Sequence, residues 1–333
     1  MGDLKVAVIG VGYLGRFHAE KLARMPGVRL VAVVDIVPER AKEVGERLGV
    51  ASLTDYRDLA GEVEAVSVVV PTREHFSVGR FFLEQGVHVF VEKPITATLE
   101  EADQLIELAG EKNLVLQVGH IERFNPAVAE LLKQVDRPLF VEAHRLSGFK
   151  ERSLDIDVVL DLMIHDLDIV LTMARAPLKT LHAVGVPVLS DKVDIASVRL
   201  VFEDGSTANL TASRISLRAM RRIRVFAAGR YLAVDSMTRN FLSVSRLVRP
   251  GGQSTFIPDE RSFPETDPLY EELKTFVQAV KEGQEPPVSG REGREALGLA
   301  LTILNEISRH LQEHPIPLND PWIQDLKATS VLP

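Results

Sequence analysis

Through roughly the first 120 residues, short β-branched apolar runs alternate with segments whose apolar positions recur at helical spacing. The runs Val6 to Ile9, Leu30 to Val34, Ala65 to Val70, Val87 to Val91 and Leu114 to Val118 predict buried strands. Helices are predicted between them, in the segment after Gly15 and over Pro38 to Leu48, His75 to Gln85 and Leu99 to Lys112. Strand and helix in turn is the pattern of a parallel, doubly wound α/β sheet. The pattern then changes. A connecting helix, Pro126 to Val135, leads into extended segments at Phe140 to Phe149, His182 to Leu189, Ala196 to Phe202, Thr207 to Ser213, Ile223 to Ala228 and Tyr231 to Asp235. Asp204-Gly205 marks a hairpin turn, and strands joined by short turns predict a mainly antiparallel sheet. One long helix, Val158 to Arg175, interrupts them, and two more, Tyr270 to Glu282 and Glu292 to Glu313, close the chain. The expected organisation is a nucleotide-binding α/β domain of residues 1–121 and an α+β domain of residues 122–333, with a tail from about residue 314 along the surface.

Gly10, Gly12 and Gly15 stand at G-x-G-x-x-G spacing between the first strand and its helix, and Asp35 ends the second strand 20 residues after Gly15. Three spaced glycines alone would fit an ordinary turn. Flanked by strand and helix and followed by an acid, they predict a dinucleotide site: Gly10 makes the tight turn, Gly12 admits the pyrophosphate and Gly15 lets helix and strand pack closely. The helix N-terminus faces the phosphates. A carboxylate at Asp35 can accept from both ribose hydroxyls and repels a 2′-phosphate. No Arg or Lys stands at 36 or 37, although Arg40 lies one turn on, so NAD is expected rather than NADP. At the carboxyl edge of the sheet, the residues expected to meet the cofactor are Gly10, Gly12, Tyr13, Leu14, Gly15, Asp35, Pro71, Thr72, His75, Glu92 and Lys93.

Length and charge narrow the class. A chain of 333 residues allows about two domains, and its 45% hydrophobic and 26% charged content is that of a globular protein. The net charge of −8 argues against nucleic acid as a partner, the cluster Arg218, Arg221, Arg222 and Arg224 being a local exception. There are no cysteines, which removes disulfides, thiolate chemistry and cysteine-bound metals. The apolar run after Lys5 belongs to the glycine motif rather than to a signal peptide, and no uncharged stretch is long enough for a bilayer, so a cytoplasmic location is expected.

Two segments carry chemistry. Glu92-Lys93-Pro94 follows a buried strand at the edge where doubly wound folds bind ligands, with proline holding Lys93 extended. Read singly, it is equally a solvated strand exit. In the helix from Asp157, apolar nearly all round, Asp161, His165 and Asp168 fall at spacings of four and three, on one face. Short acids and an imidazole on such a face are the pattern of a stripe facing a cleft, with Asp161 placed to orient His165 for proton transfer. A satisfied core histidine is the alternative. No third ligand accompanies them, and no metal site is expected.

Together the glycine motif ending on Asp35, Glu92-Lys93-Pro94 and Asp161-x-x-x-His165-x-x-Asp168 resemble the glucose–fructose oxidoreductase / inositol dehydrogenase (Gfo/Idh/MocA) family. The resemblance covers most of the chain, including Val288-Ser289-Gly290. It implies a Rossmann domain, a second domain on an open antiparallel sheet, and a homo-oligomer (dimer or tetramer) built on the exposed face of that sheet. It also implies that Lys93, Asp161 and His165 match the family's catalytic lysine, aspartate and histidine. Val118 to Pro126 and Asp161 to Asp168 look most like members oxidising C3 of UDP-N-acetylglucosamine-type sugar nucleotides. A diphosphate needs cationic donors, for which Arg123, Arg145 and Arg152 are candidates in that order, with Asn125 beside them and His144 on the same strand as Arg145. The Arg214 to Arg224 segment suits a diphosphate or a solvated edge strand equally. Oxidation of a free sugar or cyclitol, and a non-catalytic NAD-sensing regulator, remain as alternatives.

Overall fold

Six runs of mostly β-branched residues form one parallel sheet in the computed structural model, which describes residues 2–149, 156–250, 252–263 and 265–314. The strands are β1 (Leu4–Ile9), β2 (Val28–Val34), β3 (Ala51–Leu53), β4 (Ala65–Val68), β5 (His88–Glu92) and β6 (Leu116–Gly119), in the order β3-β2-β1-β4-β5-β6. Their central residues are apolar without alternation because helices cover both faces. Helices α3 (His75–Glu84) and α4 (Leu99–Glu111) cover one face, while α1 (Gly15–Ala23) and Val44 of α2 (Pro38–Leu48) lie on the other. The strand order reverses between β1 and β4, which opens a crevice above their carboxyl ends.

Helix α5 (Pro126–Gln134) leads into an eight-stranded sheet of β7 (Pro138–Leu146), β8 (Leu178–Val186), β9 (Ile195–Phe202), β10 (Thr207–Ser213), β11 (Met220–Ala227), β12 (Arg230–Asp235), β13 (Asn240–Val248) and β14 (Ser254–Ser262). Its order is β14-β13-β12-β11-β7-β10-β9-β8, and every neighbouring pair is antiparallel except β7 with β10. One face packs on α5, α6 (Ile164–Met173) and α8 (Gly290–Glu313); Val141, Ala143, Ile223 and Val225 point into that core. Glu142 and Arg224, on the intervening positions, pair on the opposite face.

Three strands, β3, β13 and β14, go beyond the sequence expectation. The last alternates no apolar residues and carries Pro258, which an edge strand tolerates because its outer N–H groups pair with nothing. The expected helix from Val158 begins instead as a π-helical turn, Val159–Met163. A division at residue 121 also separates α7 (Pro268–Glu282) from its surroundings: Leu273, Phe276 and Val277 pack into the core beneath β1 and α1. The tail expected along the surface lies outside the described residues, apart from His314.

Glu272, on the inner side of α7, is fully enclosed, and neither carboxyl oxygen has a hydrogen-bond partner among the described residues. Burial pushes its pKa well above the ordinary 4.5, and the charges of Glu92 and Asp168 add to the shift. The folded protein therefore retains a proton that the unfolded chain releases above pH 4.5, so stability falls as the pH rises from there. Glu272→Gln removes that dependence. Thermal melts should show the variant gaining on the wild type between pH 4 and pH 8; a constant difference would show that Glu272 ionises normally.

Candidate active site

The glycine-rich turn is shaped by close approach. Gly10 has φ of +86°, and a Cβ there would lie 2.5 Å from the carbonyl oxygen of Val69; one at Gly15 would collide with the carbonyl of Gly10. Gly12 differs. A Cβ at that position would meet nothing nearer than an Arg40 nitrogen at 3.9 Å. Its bare backbone thus serves something outside the fold, at the N-terminus of α1, and a pyrophosphate fits that opening. Tyr13 and Leu14 are exposed on the same loop, with the guanidinium of Arg16 5.1 Å from the Tyr13 ring. Asp35 accepts from Val11 N–H and Val37 N–H, both at 3.0 Å, and Arg40 reaches both its oxygens at 3.2 Å. The carboxylate expected to face a ribose therefore also braces the glycine loop.

Pro71 and Thr72 lie past the end of β4, where the crevice opens. His75 does not face it. The ring is enclosed, with Nδ1 2.8 Å from the carbonyl of Pro94 and Nε2 2.9 Å from that of Val70, so it braces the two loops against each other. The side chain of Glu92 also turns inward, because Gly119 leaves room for it: Oε2 accepts from Lys93 N–H at 3.2 Å and Oε1 lies 3.2 Å from His18 Nε2. The position expected to contact cofactor is a support for Lys93.

Lys93, followed by a cis peptide bond to Pro94, crosses to the second domain. Its Nζ donates to the carbonyl oxygen of Asp161 at 2.7 Å and lies 3.7 Å from Asp161 Oδ1. Burial lowers the Lys93 pKa from 10.5, although Asp161 and Glu92 hold it up. The expected contact between Asp161 and His165 is not formed; Asp161 faces Lys93, and Asp168 is bound by Arg123. The helix opens with the π-helical turn Val159–Met163. Asp161 lies in this turn, ahead of α6, and its carbonyl oxygen and carboxylate are both directed at Lys93 Nζ. His165 Nδ1 is enclosed without a partner among the described residues, and its ring stands edge-on to His120, with centroids 6.3 Å apart. Burial pulls the His165 pKa well below 6.5, and the positive charges of Lys93 and Arg145 reinforce the shift. The imidazole is neutral at neutral pH and ready to accept a proton.

The cationic residues expected to meet a diphosphate are otherwise engaged. Arg145 donates to Asp166 through Nε at 3.0 Å and Nη2 at 2.7 Å, and through Nη1 to Glu122 at 2.7 Å. Arg123 grips Asp168 at 2.7 and 2.8 Å. Asn125 accepts from Ala127 N–H at the start of α5 and donates to the carbonyl of Ser236. An inward arginine costs too much desolvation to remain unpaired, and acids nearby claim it. His144 and Arg145 occupy successive strand positions and so face opposite sides of the sheet. Arg152 lies outside the described residues. Among the described residues, no group of three or more His, Asp or Glu side chains is arranged to hold a metal, and no helix is long and apolar enough to cross a membrane.

Residues 4–120 match the model of the oxidoreductase family with an NAD-binding Rossmann fold, Gfo/Idh/MocA. The chain is 40% identical over 318 residues, 94% of its length and all of the relative's, to UDP-N-acetylglucosamine 3-dehydrogenase of Acidithiobacillus ferrooxidans. The chain belongs to the Gfo/Idh/MocA family. A solved structure of that Acidithiobacillus enzyme superposes with a TM-score of 0.87 at 38% identity, covering 93% of this chain and all of the other. A myo-inositol 2-dehydrogenase of Thermotoga maritima is 28% identical over 314 residues, 88% of this chain and 93% of its own. The NAD(H)-bound scyllo-inositol dehydrogenase of Lactobacillus casei shares the fold, with a TM-score of 0.75 at 18% identity, over 92% of this chain and 98% of its own.

As a Gfo/Idh/MocA member the chain is an oxidoreductase with an NAD-binding Rossmann fold over residues 4–120. His18, His120 and Glu122 support the site without having been singled out, since a buried partner has no periodic signature. Gly12→Ala should leave the melting temperature nearly unchanged while weakening NAD binding by about tenfold or more, roughly 1.4 kcal/mol. Fluorescence titration checks this, and unaltered affinity would place the cofactor elsewhere.

Proposed function

We propose that the protein is an NAD-dependent dehydrogenase that oxidises a secondary hydroxyl of a sugar nucleotide, C3 of UDP-N-acetylglucosamine, to a ketone. The likeness to the Acidithiobacillus enzyme over 94% of this chain and all of that one supports the substrate; the neutral His165 near Lys93 supports the chemistry. Gly10, Gly12, Gly15 and Asp35 hold the cofactor, whose nicotinamide supplies the hydride acceptor when bound. His165 takes the hydroxyl proton. Lys93 donates to the same oxygen and stabilises the negative charge that develops there. Asp161 positions Lys93 through its backbone carbonyl and carboxylate. The enzyme works in the cytoplasm as a homo-oligomer joined through the open face of the second sheet, where Val184 and Phe226 are exposed.

Absorbance of reduced cofactor should rise with UDP-N-acetylglucosamine and NAD, and rise less with NADP. Inositol oxidised as readily, or tighter binding of NADP, would overturn the assignment. His165→Ala and Lys93→Ala should each lower kcat by about 10²-fold or more while NAD affinity and melting temperature change little. A variant with normal turnover removes that residue from the mechanism.

The pH profile follows from the same site. A base whose pKa lies well below 6.5 keeps kcat/KM level as the pH falls through 6.5, with the decline only at lower pH. On the alkaline side, activity should fall before pH 10.5, because Lys93 loses its proton early. A loss of rate centred at 6.5 would point to an ordinary solvated imidazole.

A further inference from the structure

The sugar-nucleotide reading leaves a physical question, because a diphosphate needs donors and the described arginines nearest His165 are held by acids. Arg145 has three hydrogen bonds to carboxylates and Arg123 has two. Arg214 is enclosed, bonded to Asp194 and to the carbonyls of Ile156 and Val193. Arg224 pairs with Glu142 on the opposite face of the sheet.

Arg221 differs from all of these. It lies on β11, an interior strand between β12 and β7, so the idea of a solvated edge does not apply. It stands directly across from Arg145 and shares the face on which Ile223 and Val225 are buried. That face is covered by helices elsewhere, yet the Arg221 side chain is 50% exposed, and its charge is among those that lower the His165 pKa. Its bond to Glu122, at 3.4 Å, is long, and Glu122 already holds Arg145 at 2.7 Å. One such bond leaves four of five guanidinium N–H donors for a ligand. Glu122 meets the guanidinium at one nitrogen, Nη1, and belongs to the same network that runs through Arg145 to Asp166, the neighbour of His165.

We propose that Arg221 binds the diphosphate of the substrate at the mouth of the cleft and so selects sugar nucleotides over free sugars. The proposal rests on the function given above. A planar guanidinium with parallel N–H groups suits phosphate oxygens, and Arg221 can meet them without breaking a short buried ion pair, which Arg145 and Arg123 cannot.

UDP and uridine, used as competitive inhibitors, separate the phosphate from the base. Arg221→Met and Arg221→Gln should each raise the inhibition constant of UDP by about tenfold or more, as expected for a charge-assisted pair, and that of uridine by less than about twofold. The KM for UDP-N-acetylglucosamine should rise with the UDP constant, while the KM for NAD stays put. Either variant suffices if the other fails to fold. Should UDP and uridine weaken alike, or neither weaken, Arg221 does not read the phosphates. If the wild type neither oxidises UDP-N-acetylglucosamine nor binds UDP, the sugar-nucleotide reading falls and takes this proposal with it.

Discussion

The guanidinium of Arg145 is enclosed by protein and holds Asp166 by two bonds and Glu122 by a third. Burial opposes any charge there, yet the two carboxylates outweigh it and keep the arginine far above its ordinary range. Burial pushes the Asp166 pKa upward, and its two bonds to the guanidinium, at 3.0 and 2.7 Å, oppose that and hold it in an ion pair. Arg123 closes a second clamp on Asp168, two residues on. Both clamps tie α6 to the segment between β6 and α5, and His165 is the residue immediately before Asp166. Loss of one partner would leave an uncompensated buried charge, at a cost of about 3–5 kcal/mol. The position of the imidazole is thus inherited from ion pairs that never face the cleft.

Those pairs also determine the electrostatics of the cleft. Glu122, Asp166 and Asp168 are turned away and neutralised by arginines, and Glu92 is held inward by His18. Asp161 remains on the cleft side, against Lys93. Burial and the charges of Lys93, Arg145 and Arg221 all act on His165 and keep its imidazole neutral. An alkoxide forming in that place meets positive charge that is already oriented, which is the arrangement that lowers a barrier most.

Much of this was legible in the chain. The alternation of β-branched runs with helices located the first sheet to within a few residues, because strands covered on both faces read as unbroken apolar runs. Gly10, Gly12 and Gly15 marked the turn, and Lys93, Asp161 and His165 marked the cleft. The partners were harder. A helical period aligned Asp161 with His165, but it could not show that Lys93, 68 residues earlier, would claim Asp161 instead. Arg123 and Arg145 looked available to a ligand because a sequence does not show which acid lies across a fold; Glu122 and Asp166 are 23 and 21 residues from Arg145. The strand β14 escaped notice because it has few apolar residues, and β13 because the adjacent pairs Phe241-Leu242 and Leu247-Val248 break its alternation.

The place of α7 has a consequence for how the molecule is made. Leu273, Phe276 and Val277 complete the core beneath β1, β2 and β5, against Leu4, Val6, Leu30 and Phe90. Helices α1 and α2 cover only part of that side of the first sheet, and the remainder waits until a ribosome has passed residue 280, long after the six strands themselves have emerged. The nucleotide-binding portion therefore lacks part of its core until α7 is made. During synthesis it carries an exposed apolar surface for the time needed to translate some 150 further residues, on the order of ten seconds or more, within which chaperones and wrong partners compete for it. Completion of the chain, rather than of the first sheet, is the event that commits this protein to its native state.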